Sequence, residues 1–167
     1  MSSRLSDIFL GSRRNIAGTE YGTIIVLAAI VAGAPGLRDE PWRLAVVVVV
    51  TAFVFWVAHV YSDGIGESLE QERRLDRAEF LDIARRELAI LLAVVGPVLA
   101  LLLGAIGVVR ESSAIWLALG AGIVTLVVQG FRYARLETLG FVGTAVSVSV
   151  NLAFGLVIVA MKVFISH

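Results

Sequence analysis

Residues 44–62 read LAVVVVVTAFVFWVAHVYS and contain no Asp, Glu, Lys or Arg. A helix needs about 20 mainly apolar residues to cross the roughly 30 Å of hydrocarbon in a bilayer, so this stretch predicts a transmembrane helix. Four further uncharged stretches of comparable length lie at 21–37, 88–109, 112–131 and 138–161. The sequence therefore predicts an all-α integral membrane bundle of five transmembrane helices, forming one domain over residues 1–167.

The composition agrees with a bundle in lipid. Of the 167 residues, 58% are hydrophobic and only 17% are charged, and the mean hydropathy is +0.89. A soluble domain is usually about half apolar and about one quarter charged. The formal net charge of +0 gives no reason to expect a nucleic-acid partner. The absence of cysteine excludes disulfides, thiolate catalysis and cysteine-bound metals.

The basic residues predict the orientation, because short loops rich in Arg and Lys stay in the cytoplasm. One side of the membrane would carry Arg4, Arg13, Arg14, Arg73, Arg74, Arg77, Arg85, Arg86, Arg132 and Arg135. The other side would carry Arg38, Arg43, Arg110 and Lys162. We expect the first side to be cytoplasmic and to include the N-terminus, with residues 1–20 forming an amphipathic segment on that face.

The loop after the second stretch is the only long one. Residues 63–87 read DGIGESLEQERRLDRAEFLDIARRE, rich in helix-forming residues and without proline. Gly64 and Gly66 predict a break after the second span, and the chain is expected to run from about Glu67 as one charged cytoplasmic helix into the third span. This helix is either a solvated connection or a surface that binds a cytoplasmic protein partner.

The third span carries a face of small residues and an internal proline. Pro97 predicts a kink or a freed carbonyl, since proline lacks the N–H of the helical ladder. The small residues predict close packing against another helix. They recur at spacings of three or four: Ala89, Ala93, Gly96, Ala100, Gly104 and Gly107.

Polar stripes mark the fourth and fifth spans. On the fourth, Thr125 and Gln129 share a face with Ala118, Gly122 and Arg132. On the fifth, Thr144, Ser147 and Asn151 recur at helical spacing between Gly140 and Gly155. Buried amides need hydrogen-bond partners. These stripes predict either interhelical bonding or the wall of a water-lined conduit, which a homo-oligomer could form around its axis.

The cytoplasmic end of the second span brings together two titratable residues. Trp56, His59 and Asp63 fall on one helical face. Histidine titrates near physiological pH, and an ionisable residue within a span is a functional candidate. Two interpretations stay open: an interfacial histidine at a helix end, or a pH-sensing or ion-binding site made by His59 and Asp63.

Catalytic and cofactor motifs are missing from the sequence. It contains no Gly-rich phosphate loop, no HExxH motif and no paired-histidine metal site, and a serine triad has no support. We expect no enzymatic activity, no catalytic residues, no bound metal and no cofactor.

The segment Phe55-Trp56-Val57-Ala58-His59-Val60-Tyr61, followed by an acidic and Arg-rich stretch, resembles small multi-spanning membrane proteins of GC-rich bacteria whose function is unknown. The resemblance covers the second span and its loop. It implies a bacterial inner-membrane location and no particular activity.

The polar stripes, the small chain and the absence of catalytic motifs predict a homo-oligomeric ion channel or small permeation protein. Thr125, Gln129, Thr144, Ser147 and Asn151 would line it, and His59 with Asp63 would make it pH-responsive. Two alternatives stay open. The first is a non-transporting membrane scaffold or regulatory subunit that binds its partner through 63–87. The second is a proton-coupled carrier that works as a dimer.

Overall fold

The computed structural model describes residues 13–165, with side chains described from 16 to 164. This part of the chain is entirely helical. The helices are α1 (Arg13–Gly33), α2 (Pro41–Glu70), α3 (Arg77–Arg86), α4 (Leu88–Leu92), α5 (Val95–Ala105), α6 (Glu111–Leu136) and α7 (Phe141–Ile165).

Four of these helices, α1, α2, α6 and α7, are long and apolar enough to cross a membrane. The number is five when the bent unit made by α3–α4 and α5, in which the apolar stretch begins at Leu88, is counted as one span. The predicted all-α bundle of about five spans is confirmed. With this number of spanning helices the chain is a multi-pass membrane protein.

The helix α1 occupies the centre of the bundle and packs against α2, α4, α6 and α7. Its side chains Val26, Leu27 and Ile30 are fully buried. Two glycines permit the close approach: a Cβ on Gly22 would lie 2.8 Å from the Ile90 carbonyl oxygen, and one on Gly122 would lie 2.5 Å from Leu27 Cδ2. Small residues let helix backbones approach in lipid, where apolar burial alone does not favour helix contact.

The first helix begins earlier than predicted. It starts by Arg13 rather than at 21 and ends at Gly33, before the Pro35-Gly36 turn. Residues 13–20 of the predicted amphipathic segment therefore already belong to α1. Gly18 packs closely on α4, where a Cβ would lie 3.2 Å from Ala89 Cβ. Residues 1–12 of that prediction lie outside the described residues.

The predicted break at Gly64 and Gly66 is wrong. The helix α2 continues through both glycines to Glu70. Gly64 is buried beneath the ring of Phe80, where a Cβ would lie 3.5 Å from Cε2.

The prediction of one helix from Glu67 into the third span is also wrong. The chain turns over residues 71–76, where Glu72 takes the left-handed conformation at a φ of 52°. A new helix, α3, then begins with a capping box between Asp76 and Glu79. Residues 63–87 thus divide among the end of α2, a turn and α3.

The third predicted span, 88–109, is broken near its proline. The helices α4 and α5 are separated at Ala93 and Val94, and the two parts of the unit meet at a bend of 47°. Pro97 cannot donate to the Ala93 carbonyl four residues earlier, which explains a break at this point. The predicted kink is therefore present, and α5 ends at Ala105 before the left-handed Gly107.

The small-residue face of the third span packs against other helices as predicted, except at Gly107, which lies in the turn after α5 with nothing within 4 Å of a Cβ. Its first part contacts α1, with Ala89 beside Gly18 and Ala93 beside Gly22. Its second part turns to α6, where a Cβ on Gly104 would lie 2.5 Å from that of Ala114. The bend at Ala93 and Val94 lets one stripe contact two different helices.

Candidate functional site

The polar stripe on α7 faces α6 of the same chain. Ser147 Oγ donates to the Gly130 carbonyl at 3.0 Å, and Asn151 Nδ2 donates to the Ser147 carbonyl at 3.2 Å. Gly130 makes this approach possible, because a Cβ there would lie 3.0 Å from Val148 Cα and 3.3 Å from Asn151 Nδ2. Further along, a Cβ on Gly155 would lie 3.0 Å from Ile123 Cγ1. The stripe therefore makes the interface between α6 and α7.

The polar residues of α6 form bonds within their own helix. Thr125 Oγ1 donates to the Ala121 carbonyl at 3.0 Å. Gln129 is buried, and its Oε1 accepts from Arg132 Nη1 at 3.2 Å. Thr144, at the start of α7, has its hydroxyl 3.5 Å from the Leu139 carbonyl. Thr125, Gln129, Thr144, Ser147 and Asn151 therefore all have local hydrogen-bond partners.

Asn151 retains one unsatisfied atom. Asn151 is only 6% exposed, and its side-chain oxygen Oδ1 has no hydrogen-bond partner among the described residues. A buried acceptor of this kind is uncommon and usually has a structural or functional reason. It is the only buried side-chain nitrogen or oxygen in the described part of the chain that lacks a hydrogen-bond partner.

The chain does not bring His59 and Asp63 together. The His59 ring packs against Tyr21 of α1 with the ring centroids 4.6 Å apart, and its Nδ1 lies 3.3 Å from the Phe55 carbonyl. Asp63 is exposed and forms no ion pair with His59. Trp56, the third member of the predicted face, donates its Nε1 to the Ala84 carbonyl at 3.1 Å. These contacts join α2 to α1 and to α3.

One acidic residue within a span was missed because the first span was predicted to begin at Tyr21. Glu20 lies inside α1, in the apolar stretch Ile16–Gly33. Leu27 packs on Gly122 of the antiparallel α6. Glu20 lies seven residues from Leu27, and Gln129 lies seven residues from Gly122, in both cases toward the same end of the bundle. The Glu20 carboxyl is therefore at the level of the buried Gln129 amide.

Ion pairs and a capping box hold α3 against the end of α2. Arg73 pairs with Glu79 through both carboxylate oxygens, one of them at 3.0 Å from Arg73 Nη1. This carboxylate raises the pKa of the Arg73 guanidinium above its usual value. Arg86 Nη2 lies 2.9 Å from Glu67 Oε2, which joins the two helices directly. The α2–α3 turn therefore has a defined shape.

The end of α2 and the start of α3 expose an apolar surface. Tyr61, Ile65 and Leu69 follow one another at intervals of four on one face of α2, and Leu69 is 72% exposed. Phe80 and Leu81 of α3 are also exposed. We call these five residues the α2–α3 apolar surface. Tyr61, Ile65, Leu69 and Phe80 line a groove together with Arg74.

Ile65 and Leu69 lie beyond the part of α2 that the bilayer needs. Thirty residues of helix extend for about 45 Å, whereas hydrocarbon is roughly 30 Å thick. With the apolar run beginning at Leu44, about 20 residues cross the hydrocarbon, so residues from about Gly64 onward project past it and Tyr61 lies at its edge. The apolar residues at i, i+4 and i+8 are visible in the sequence, but the charged residues between them are typical of a solvated helix.

No group of three or more His, Cys, Asp or Glu side chains in the described part of the chain is arranged to hold a metal ion. Comparison with known proteins finds no matching family model, no similar curated protein and no similar solved structure. The candidate sites are therefore the α2–α3 apolar surface and the α6–α7 interface around Asn151, and both are argued from their own geometry.

Proposed function

We propose that this protein is a non-transporting membrane scaffold or regulatory subunit that binds a partner on the α2–α3 apolar surface. The observation that supports this most directly is the exposed stripe Tyr61, Ile65 and Leu69, of which Ile65 and Leu69 lie on a part of α2 longer than the membrane requires. Exposed apolar patches rimmed by polar residues mark interaction sites. The capping box and ion pairs hold the surface in one conformation before binding, which lowers the entropy cost of association.

The partner would be an amphipathic helix. Residues at i, i+4 and i+8 on α2, with Phe80 beside them, match the apolar anchors of helix-in-groove recognition. Arg74 lines the same groove, so acidic residues flanking the partner's apolar face would complement it. We place this end of the bundle in the cytoplasm of a bacterial inner membrane, since most of the basic residues flank it.

Site-specific photocrosslinking in native membranes tests this proposal. A photoreactive residue at Leu69 should give one adduct with a second protein, and the additional change Ile65→Glu in the same groove should remove it. The matched control is position 78, an exposed residue of α3 outside the groove, which should give no adduct. An adduct of equal yield at 78, or none at 69, would contradict the proposal.

Ion conduction by a homo-oligomer is a second proposal, and the unpartnered Asn151 Oδ1 favours it. A buried amide oxygen is a ligand that a desolvated cation can use. Flux into liposomes across several salts and two pH values, compared with Asn151→Leu, distinguishes the two functions. Selective flux that Asn151→Leu abolishes would establish conduction and overturn the non-transporting scaffold. Absence of flux from folded protein would leave conduction without support.

A further inference from the structure

The exposed row on α2 does not stop where the helix enters the membrane. Four further residues precede Tyr61 at steps of three or four, and we call them the membrane stripe: Val47, Thr51, Val54 and Ala58. Three of them are exposed, and Thr51 is partly exposed. Because helical residues at such steps share a face, the membrane stripe and the row from Tyr61 to Leu69 form one line along α2.

The part of this line outside the hydrocarbon is too short to hold a helix by itself. From Tyr61 to Leu69 the chain advances eight residues, which is about 12 Å of helix or little more than two turns. The helix α2 then ends at Glu70, and the chain turns away. Isolated helices shorter than about 12–15 residues are only marginally stable. A partner helix that lies along α2 therefore gains further apolar contacts on α2 by continuing along the membrane stripe.

Within the membrane, the stripe borders a groove between α1 and α2. The groove has a volume of about 530 Å³, and Val47 and Thr51 belong to its α2 side. Its α1 side is formed largely by small residues, of which Ala28 and Ala32 are exposed one turn apart. Small residues let a second helix approach closely, and close packing favours helix association in lipid. A helix on the membrane stripe would thus contact α1 as well as α2.

The hydroxyl of Thr51 indicates a protein neighbour in this groove. It has no hydrogen-bond partner among the described residues, whereas the hydroxyls of Thr23 and Thr125 each donate to the carbonyl four residues earlier. An unpaired hydroxyl in hydrocarbon is costly, and lipid tails offer neither a donor nor an acceptor. A carbonyl or a polar side chain of a second helix would accept a hydrogen bond from Thr51.

The acidic residues of α2 leave this line free of charge. Asp63, Glu67 and Glu70 recur at steps of four and three on another face of the helix. Asp63 and Glu67 each lie two residues from Ile65, which is about 200° around the helix axis. Glu67 is also paired with Arg86 at 2.9 Å. A helix packed on the line would therefore not have to bury a carboxylate of α2, which is costly at the membrane.

We propose, building on the proposed function, that the partner is itself a membrane protein and that one of its transmembrane helices lies along α2 from Val47 to Leu69. The contacts from Val47 to Ile65 alternate between steps of four and three. This is the 3.5-residue repeat of left-handed helix pairs, which cross at about 20°. The cytoplasmic continuation of the partner helix would carry the acidic residues that complement Arg74.

Photocrosslinking inside the membrane tests the proposal. A photoreactive residue is placed at Val54, and its adduct in native membranes is compared with the adduct from Leu69. We expect the same partner protein at both positions, identified by mass spectrometry. The Val54 adduct should map to an uncharged segment of about 20 residues in that partner. Thr51→Val should lower the Val54 yield about threefold, the effect of losing one average hydrogen bond between membrane helices, whereas Thr51→Ser should retain it.

The matched control is a photoreactive residue at Val49. This residue lies at a similar depth, two positions from both Val47 and Thr51 and about 200° around the helix axis, and it is 44% exposed. It should give no adduct with the partner. Circular dichroism of each purified variant establishes that the bundle is folded, and immunoblotting of the membranes normalises the yields.

The possible results separate this proposal from the proposed function. An adduct at Leu69 without one at Val54 overturns the membrane-spanning partner and leaves a soluble cytoplasmic partner. Absence of an adduct at both positions overturns both. An adduct of Val54 with a second copy of this chain, or with a protein different from the one captured at Leu69, overturns the membrane-spanning partner. So does an equal yield at Val49, because random collisions in lipid would give that result.

Discussion

Two stripes with the same helical spacing face opposite ways in this molecule. On α7, Ser147 and Asn151 point toward α6 beside Gly130, and Gly155 packs against Ile123 of the same helix. On α2, Tyr61, Ile65 and Leu69 point away from the protein and are exposed. The first stripe is polar in an apolar solvent. The second is apolar and runs from the edge of the hydrocarbon at Tyr61 to the part of α2 that extends beyond it.

The comparison shows that periodicity identifies a face but the surrounding solvent decides which way that face turns. Lipid forces polar groups inward, because an unsatisfied polar atom in hydrocarbon is costly. Water instead favours burial of apolar groups. A row of large apolar residues exposed to water therefore indicates a surface that another molecule covers. The inward stripe should therefore govern stability, and the outward stripe should govern binding.

The largest expected effect on stability comes from placing a side chain at Gly130, where α6 contacts the polar stripe of α7 (the inward stripe). Gly130→Leu should destabilise the bundle by about 3 kcal/mol, since its side chain would overlap the Val148 backbone. Unfolding in bicelles, followed by circular dichroism, measures the change. The control is Gly120→Leu on the same helix, where a Cβ has nothing within 4 Å. Equal destabilisation by both variants would contradict the α6–α7 contact.

The apolar runs made the spans predictable from the sequence, because a membrane helix needs length and the absence of charge. The effect of Pro97 was predictable for the same local reason, since a missing N–H acts within one turn. The end of α2 was not predictable in this way. Gly64 lies inside the helix and packs beneath Phe80, a residue 16 positions further along the chain that local sequence cannot connect to it.

The candidate sites divide in a similar way. The stripe on α7 was visible in the sequence, but its direction depends on Gly130 of α6, whose lack of a side chain admits Ser147 and Asn151. His59 and Asp63 share a helical face in sequence, yet Tyr21 of α1 occupies the space beside the His59 ring. The turn at Glu72 contains no glycine or proline, so the sequence gives no local signal for it. The hydrogen bonds from Arg73 to Glu79 that stabilise the turn form only after the chain has reversed.

A smaller effect is expected at the structure that supports the outward stripe. Asp76→Ala removes the bond from the Glu79 N–H to Asp76 Oδ1, 2.8 Å long, and should ease local opening of α3 by about 1 kcal/mol. Hydrogen exchange of the α3 amides measures this opening. Asp82→Ala is the control, because its contact with Arg85 is exposed and 3.5 Å long. If exchange in α3 is unchanged in Asp76→Ala, the capping box does not hold the surface.

The hydrogen bond from Ser147 to α6 should contribute less to the free energy of unfolding than the close packing at Gly130. Ser147→Ala removes the hydrogen bond from Ser147 Oγ to the Gly130 carbonyl of α6, and we expect a loss of about 0.6 kcal/mol, the average for such bonds between membrane helices. Ser149→Ala on the exposed side of α7 should cost nothing measurable. Bicelle unfolding again provides the measurement. A larger loss in Ser149→Ala would mean that α7 turns a different face to α6.

The smallest effect on stability should come from the outward stripe itself. The combined change Tyr61→Ser, Ile65→Ser and Leu69→Ser alters three exposed side chains, and exposed substitutions usually shift stability by under about 0.5 kcal/mol each. Bicelle unfolding should therefore hardly change, whereas the photocrosslink from a probe at Leu81 should disappear. This separation is what distinguishes a binding surface from a misassigned part of the core. If the triple variant unfolds as readily as Gly130→Leu, the stripe is packed within the folded protein, and its apolar residues need no partner to explain them.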